Sequence, residues 1–207
     1  MMKLLSNPLV STLISRLRDK DTDALNFRLT VKEITKQLLY RSLQDAKPIS
    51  KKIDTWRGEE LLETLDSSSF VVVTVLRAGM PMLESVMETL PEIKAGFLAI
   101  KRDEITHKSK LYYDCLPDCS GKSVIIVDVM LATGGSLCDA IEIVKNKNAK
   151  EIISLNVIAS PEGIAVVEKE YSDVDIYLAQ LDERLNEDKY IIPGLGDAGD
   201  REYNTPE

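Results

Sequence analysis

Five short runs of apolar, largely β-branched residues punctuate the chain after Phe70: FVVVTVL, GFLAI, SVIIVD, EIISLNVIA and VDIYLAQ. They are continuous rather than alternating, the pattern of strands buried on both faces in a parallel sheet covered by helices. Between them lie MPMLESVMETL, LCDAIEIVKNK and GIAVVEKEY, whose apolar positions recur at helical spacing. Strand and helix alternate, which predicts an α/β fold around a mostly parallel sheet of about five strands. The first 45 residues read as helical, since Phe27, Val31, Ile34 and Leu38 recur at helical spacing after the polar starters of DKDTD. KPISKKIDTWRG alternates weakly and predicts a short hairpin or arm ending in a turn at Gly58.

One stretch breaks the alternation. Between GFLAI and SVIIVD lies KRDEITHKSKLYYDCLPDCSGK, which carries no helical stripe. A connection of that length in a compact domain is usually a functional loop or lid. Tyr112, Tyr113 and Leu116 within it read as parts of a returning strand.

Composition narrows the chemistry. A chain of 207 residues, 44% of them apolar, buries one good core, so the whole of 1–207 reads as a single domain. The net charge of −8 repels polyphosphate backbones and argues against nucleic-acid binding, leaving any anion to be held by local chemistry. No apolar run approaches a membrane span and the MMKLLSNPLV start lacks signal-peptide features, so a cytoplasmic protein with no membrane partner is expected. Cys115, Cys119 and Cys138 have no metal-ligand spacing, and the single histidine, His107, sits in the polar THKSK and reads as an exposed loop residue.

The chemistry concentrates in SVIIVDVMLATGGSLCDAIEIV, which runs strand, loop, helix. Ligands of α/β sheets bind just beyond the carboxyl end of a strand. Two glycines let backbone N–H groups turn into a concavity at a helix N-terminus, which suits a phosphate monoester. Thr133 and Ser136 add hydroxyls, and Ser136 with Asp139 has capping-box spacing, placing the helix start near Leu137. Asp128, at the strand tip, would repel the phosphate and is better matched to neutral hydroxyls or a metal-bound group. A phosphate at one end and a diol at the other describe a ribose 5-phosphate. A side chain at Gly134 is expected to intrude on that phosphate while leaving the fold intact. Two other glycine patterns fail. GKS at 121–123 precedes a strand rather than a helix, and Gly194, Gly196 and Gly199 have dinucleotide-fingerprint spacing but too little chain after them for the βαβ unit.

VDVMLATGGS resembles the phosphoribosyl pyrophosphate (PRPP) motif of the type I phosphoribosyltransferases, and its MLATGGS half is similar to the version in the uracil phosphoribosyltransferase family. VLRAG at 75–79 resembles that family's pyrophosphate loop, the stretch from KRDE to YYDCLP its lid, and YIIPGLGDAGDR its uracil-binding segment. Val129 and Ser109 stand where the family commonly has Pro, which implies altered loop stiffness rather than lost chemistry, and the acid pair of other phosphoribosyltransferases is reduced to Asp128.

The resemblance implies the type I phosphoribosyltransferase fold, with N-terminal helices and arm over 1–59, a core over about 60–183 and a small hood carrying the uracil segment over about 184–207. It implies transfer of ribose 5-phosphate from PRPP to N1 of uracil, giving UMP and pyrophosphate in pyrimidine salvage. PRPP would be held by Val129, Met130, Leu131, Ala132, Thr133, Gly134, Gly135 and Ser136, with Arg77, Arg102, Asp128 and Asp197 as the catalytic set. Uracil would meet Ile191, Gly196, Asp197 and Ala198, read through backbone groups, with added bulk at Ala198 expected to intrude on the base. Mg²⁺ is the implied cofactor, carried mainly by PRPP rather than by direct protein ligation and reached from Asp197 through water. A homo-oligomer, a dimer or dimer of dimers, and a GTP or CTP effector are also implied. Two alternatives stay open: a PRPP-fold regulatory protein binding nucleotides and RNA, against which the acidic charge counts, and a phosphoribosyltransferase for another base.

Overall fold

The computed structural model describes residues 1–102 and 109–205. The chain begins with strand β1 (Met2–Leu4) and helices α1 (Pro8–Arg18) and α2 (Ala24–Ser42). Each helix start is fixed by its sequence. Asn7 accepts the Val10 N–H at 2.9 Å with Pro8 at the first helical position, and Asp23 accepts the Asn26 N–H at 2.8 Å. A projecting hairpin follows, β2 (Ile49–Thr55) and β3 (Gly58–Thr64), paired antiparallel. The turn at Gly58 is therefore the middle of the arm rather than its end, because GEELLET extends back along KPISKKIDT.

The core then alternates β4 (Phe70–Leu76), α3 (Met80–Thr89), β5 (Lys94–Arg102), β6 (Ser109–Cys115), β7 (Ser123–Leu131), α4 (Gly135–Lys145), β8 (Glu151–Ala159), α5 (Pro161–Glu170) and β9 (Asp175–Leu181). Two-residue strands β10 (Arg184–Leu185) and β11 (Ile191–Ile192) and the short helix α6 (Ala198–Tyr203) close the chain. The principal sheet has seven strands in the order β1-β9-β8-β7-β4-β5-β6, all parallel to their neighbours except β6, which runs antiparallel to β5. Two strands exceed the five expected. β6 is the returning strand that carries Tyr112 and Tyr113, and β1 is too short to show a period.

Alternate residues of the central strands feed two cores. Val72, Ile125, Val127 and Leu155 pack with α1, α2 and α3 on one face. Val71, Val73, Val124, Ile126 and Leu178 pack with Leu137, Ile141 and Val144 of α4 and Ile164 and Val167 of α5 on the other. Burial on both faces is why these strands read as unbroken apolar runs. From β7 the chain winds through α4 to β8 and on to β9, whereas from β4 it winds through α3 to β5 in the opposite direction. The switch point therefore lies between the carboxyl ends of β4 and β7, where an open α/β sheet leaves a crevice.

Candidate active site

A cleft of about 740 Å³ opens at that switch point, within the range of small-ligand sites. Arg77 lines it from the end of β4, Asp128, Met130 and Leu131 from β7, Ala132, Thr133, Gly134 and Ser136 from the β7–α4 turn, and Ile191, Gly196, Asp197 and Gly199 from the closing segment. Three stretches distant in sequence are thus brought to one place. Val129 is not among the lining residues; its side chain is fully buried in the core, and Gly135 lines nothing but opens α4. Arg102 ends β5, and its side chain, with those of Lys101, His107, Lys108, Ser109 and Lys110, lies outside the described residues.

The β7–α4 turn is built by its backbone. Helix α4 begins at Gly135 with Gly134 as N-cap at φ +85°, and no side chain caps it. The start expected near Leu137 under a Ser136 cap is therefore corrected: a left-handed glycine, not a hydroxyl, turns the chain into the helix. Ser136 is left facing the cleft, beside the first-turn N–H groups that have no partner within the helix. A Cβ on Gly134 would sit 2.9 Å from the Gly163 carbonyl oxygen and 3.1 Å from Val166, so it would strike the start of α5. A substitution there is therefore expected to strain the fold as well as the cleft. That helix start also ties the loop down, since the Ser160 hydroxyl donates to the Ala132 carbonyl at 2.6 Å and accepts the Gly163 N–H at 2.9 Å.

Asp128 sits at the floor of the cleft. Burial pushes its carboxyl up to about 7, against the lowering effect of the Met130 and Val129 N–H groups. Behind it the buried Asn156 donates to the Asp128 carbonyl at 3.0 Å and accepts from Ser154 at 2.7 Å, fixing the strand tip from β8.

Arg77 reaches across the cleft mouth to the closing segment. It donates to the Asp200 carboxylate at 3.0 Å and to the Thr205 hydroxyl at 3.2 Å, and lies over Gly199, whose added Cβ would meet its guanidinium at 3.4 Å. Asp197 caps α6 by accepting the Asp200 N–H at 2.9 Å while lining the cleft. Ala198 is fully buried in the core and is not a lining side chain, so bulk added there presses into the core rather than over the cleft. Sequence reasoning passed over Lys189 and Tyr190, which also line the cleft, and over Glu202, fully buried on α6 with both carboxyl oxygens lacking a hydrogen bond. Nothing in the pattern of a polar, charged C-terminal run marks a buried carboxyl.

Among the described residues no group of three or more His, Cys, Asp or Glu could hold a metal ion, and no helix is long and apolar enough to cross a membrane.

The uracil phosphoribosyltransferase family profile matches residues 4–205, spanning every segment of the cleft. The chain belongs to that family. Similar relatives include the uracil phosphoribosyltransferases of Aquifex aeolicus, 42% identical over 96% of both chains, and of Finegoldia magna, 43% identical over 96% of both. Among solved structures, the AQ2163 protein of Aquifex aeolicus superposes with a TM-score of 0.95 at 41% identity, covering 98% of each chain. Family membership brings with it pentosyl-transfer chemistry and, in general terms, a divalent cation.

Proposed function

We propose that the chain transfers the 5-phosphoribosyl group of PRPP to N1 of uracil, producing UMP and pyrophosphate in pyrimidine salvage. The observation that carries this reading is the convergence, at one switch-point cleft, of a helix-start phosphate cradle, a lone strand-tip carboxylate, an arginine and a glycine-rich segment able to present backbone groups to a base.

The 5-phosphate accepts from the first-turn N–H groups of α4 and from the hydroxyls of Thr133 and Ser136. Asp128 accepts from the ribose hydroxyls, a neutral partner that a carboxylate beside a phosphate can tolerate. Arg77, with Arg102, takes the pyrophosphate. Loss of pyrophosphate leaves positive charge on the sugar, so the chain must neutralise the leaving group and keep water away from C1 until the base arrives. The β5–β6 connection is assigned to the second task. Uracil needs N–H donors for O2 and O4 and a carbonyl for N3–H, and backbone at Ile191, Gly196, Asp197 and Ala198 provides both kinds without intervening side chains. Cytosine reverses the pattern at N3 and N4 and would leave such groups unpaired.

Asp197, lining the cleft, would reach through water a hard cation carried in on PRPP. We assign Mg²⁺ to this place, where it would supply charge neutralisation to the departing pyrophosphate. The single-domain organisation, a homodimer or dimer of dimers, and regulation by GTP or CTP complete the proposal. The exposed Ile49, Ile53, Trp56, Leu61 and Leu62 along the β2–β3 arm support self-association.

The test is incubation with PRPP, Mg²⁺ and each free base in turn, with the nucleotide identified by mass. UMP from uracil alone is expected; comparable turnover of cytosine or a purine overturns the base assignment.

A further inference from the structure

The segment that reads the base has almost no secondary structure of its own. β11 ends at Ile192 and α6 starts at Ala198, so residues 193–197 belong to no strand or helix. A reader made of backbone groups discriminates only if those groups are held in place before the base arrives. Leu195 anchors its side chain in the core, but the peptide groups around it are fixed by charged side chains reaching in from elsewhere.

Two of these act from opposite ends of the segment. Asp182, just past β9 and with a fully buried carboxylate, accepts the Gly194 N–H at 2.9 Å. Its other oxygen pairs with Arg18, the last residue of α1, and its own N–H is tied to the Ala159 carbonyl of β8 at 2.8 Å. Arg201, on α6, donates from one nitrogen to the Leu195 carbonyl at 2.8 Å and to the Leu17 carbonyl, and from the other to the Asp19 carbonyl at 2.7 Å. Its guanidinium lies 4.4 Å from the ring centre of the fully buried Phe27 of α2. Leu17 and Asp19 are at the carboxyl end of α1, where carbonyls lack helical partners and a cation is favoured. Both braces therefore stand on the same platform, the last turn of α1, and hold Gly194 and Leu195 immediately before Gly196.

We infer that Asp182 and Arg201 are positioning residues for base selection: neither lines the cleft, yet together they lock the base-reading backbone onto the end of α1. This rests on the proposed activity, and the test separates the two. Wild-type enzyme is first assayed with PRPP and each free base. No nucleotide from uracil would fail the activity, and the brace is then read with whichever base is used.

Arg201→Met removes all three donations while keeping an apolar stem on Phe27. Its expected signature is a rise of about tenfold or more in KM for the base, a change of less than about twofold in KM for PRPP, and weaker discrimination between uracil and cytosine. Arg201→Lys, which keeps a cation within reach of the carbonyls, should recover most of the base KM. Asp182→Asn, which keeps an acceptor for the Gly194 N–H but loses the Arg18 pairing, gives a smaller shift of the same kind and serves if Arg201→Met does not fold. Equal rises in both KM values, or an unchanged base KM in a folded variant, overturns the assignment.

Discussion

Replacing Glu202 by Gln should make the protein more stable in mildly alkaline solution. Glu202 is fully buried, both its carboxyl oxygens lack a hydrogen-bond partner, and its backbone carbonyl accepts from Arg28. Burial pushes the carboxyl up to about 9, with Asp128 and Asp197 adding to the rise and Arg28 and Arg77 opposing it. In the unfolded chain the group returns to its ordinary value of 4.5. The folded state therefore binds this proton more tightly. The resulting stability is fully present below the unfolded value, falls as pH rises above it, and levels off above about 9. Across the interval the slope is one proton, about 1.4 kcal/mol per pH unit, or ~3 kcal/mol between pH 6 and pH 8. For a chain of this length that corresponds to a fall of about 6–12 °C in Tm. Glutamine cannot ionise, so Glu202→Gln lacks this limb, while Asp128 titrates in both proteins and largely cancels. Urea unfolding of wild type and variant at pH 6, 7 and 8 reads the difference directly: the curves should diverge by ~3 kcal/mol across that range. Parallel pH dependences would show that Glu202 is solvated or paired in solution and would refute the reasoning.

Three further outcomes are expected. Gly134→Val should lower both PRPP affinity and stability, the latter by ~2–4 kcal/mol from left-handed backbone and collision with the start of α5; a variant with wild-type Tm that merely loses PRPP would return the clash to the cleft. Asp200→Asn frees Arg77 from its half-exposed ion pair and should tighten PRPP binding by up to about fivefold, measured by calorimetry, whereas weaker binding would mean that Asp200 orients the arginine for its ligand. Arg102→Ala should lower kcat more than it raises KM for uracil, by ~2–4 kcal/mol of transition-state stabilisation; an unchanged kcat would make it a surface charge.

What the sequence makes legible is what repeats. Strands β4, β7, β8 and β9 are buried on both faces and so spell out unbroken apolar runs, and α2 shows its core face at Phe27, Val31, Ile34 and Leu38. The Asp128 to Ser136 stretch is legible because its chemistry is local: a strand tip, a glycine turn and a helix start lie next to one another in the chain. Its helix boundary is not legible, because Ser136 and Asp139 suggest a side-chain cap whereas the turn is decided by one glycine's backbone. β1 is three residues long and gains its place by pairing with β9. Asp182, Arg201 and Glu202 look like ordinary surface charges in a polar stretch. Their meaning comes from partners or burial that no local pattern announces, such as the Arg201 contacts with Leu17 and Asp19.

The contact between Gly163 and the β7–α4 loop limits how that loop could be moved to another scaffold. A Cβ on Gly163 would fall 2.3 Å from the Ala132 carbonyl oxygen, so the loop is moulded against a helix start that contributes nothing to the cleft. Transplanting only the stretch that lines the cleft would leave Ala132 without its Ser160 donor and Gly134 without the surface its backbone is shaped to. The portable unit is residues 128–163, two consecutive strand-to-helix turns that have to travel together. A survey of tolerated substitutions should accordingly find position 163 as restricted as position 134, although only the second lines the cleft.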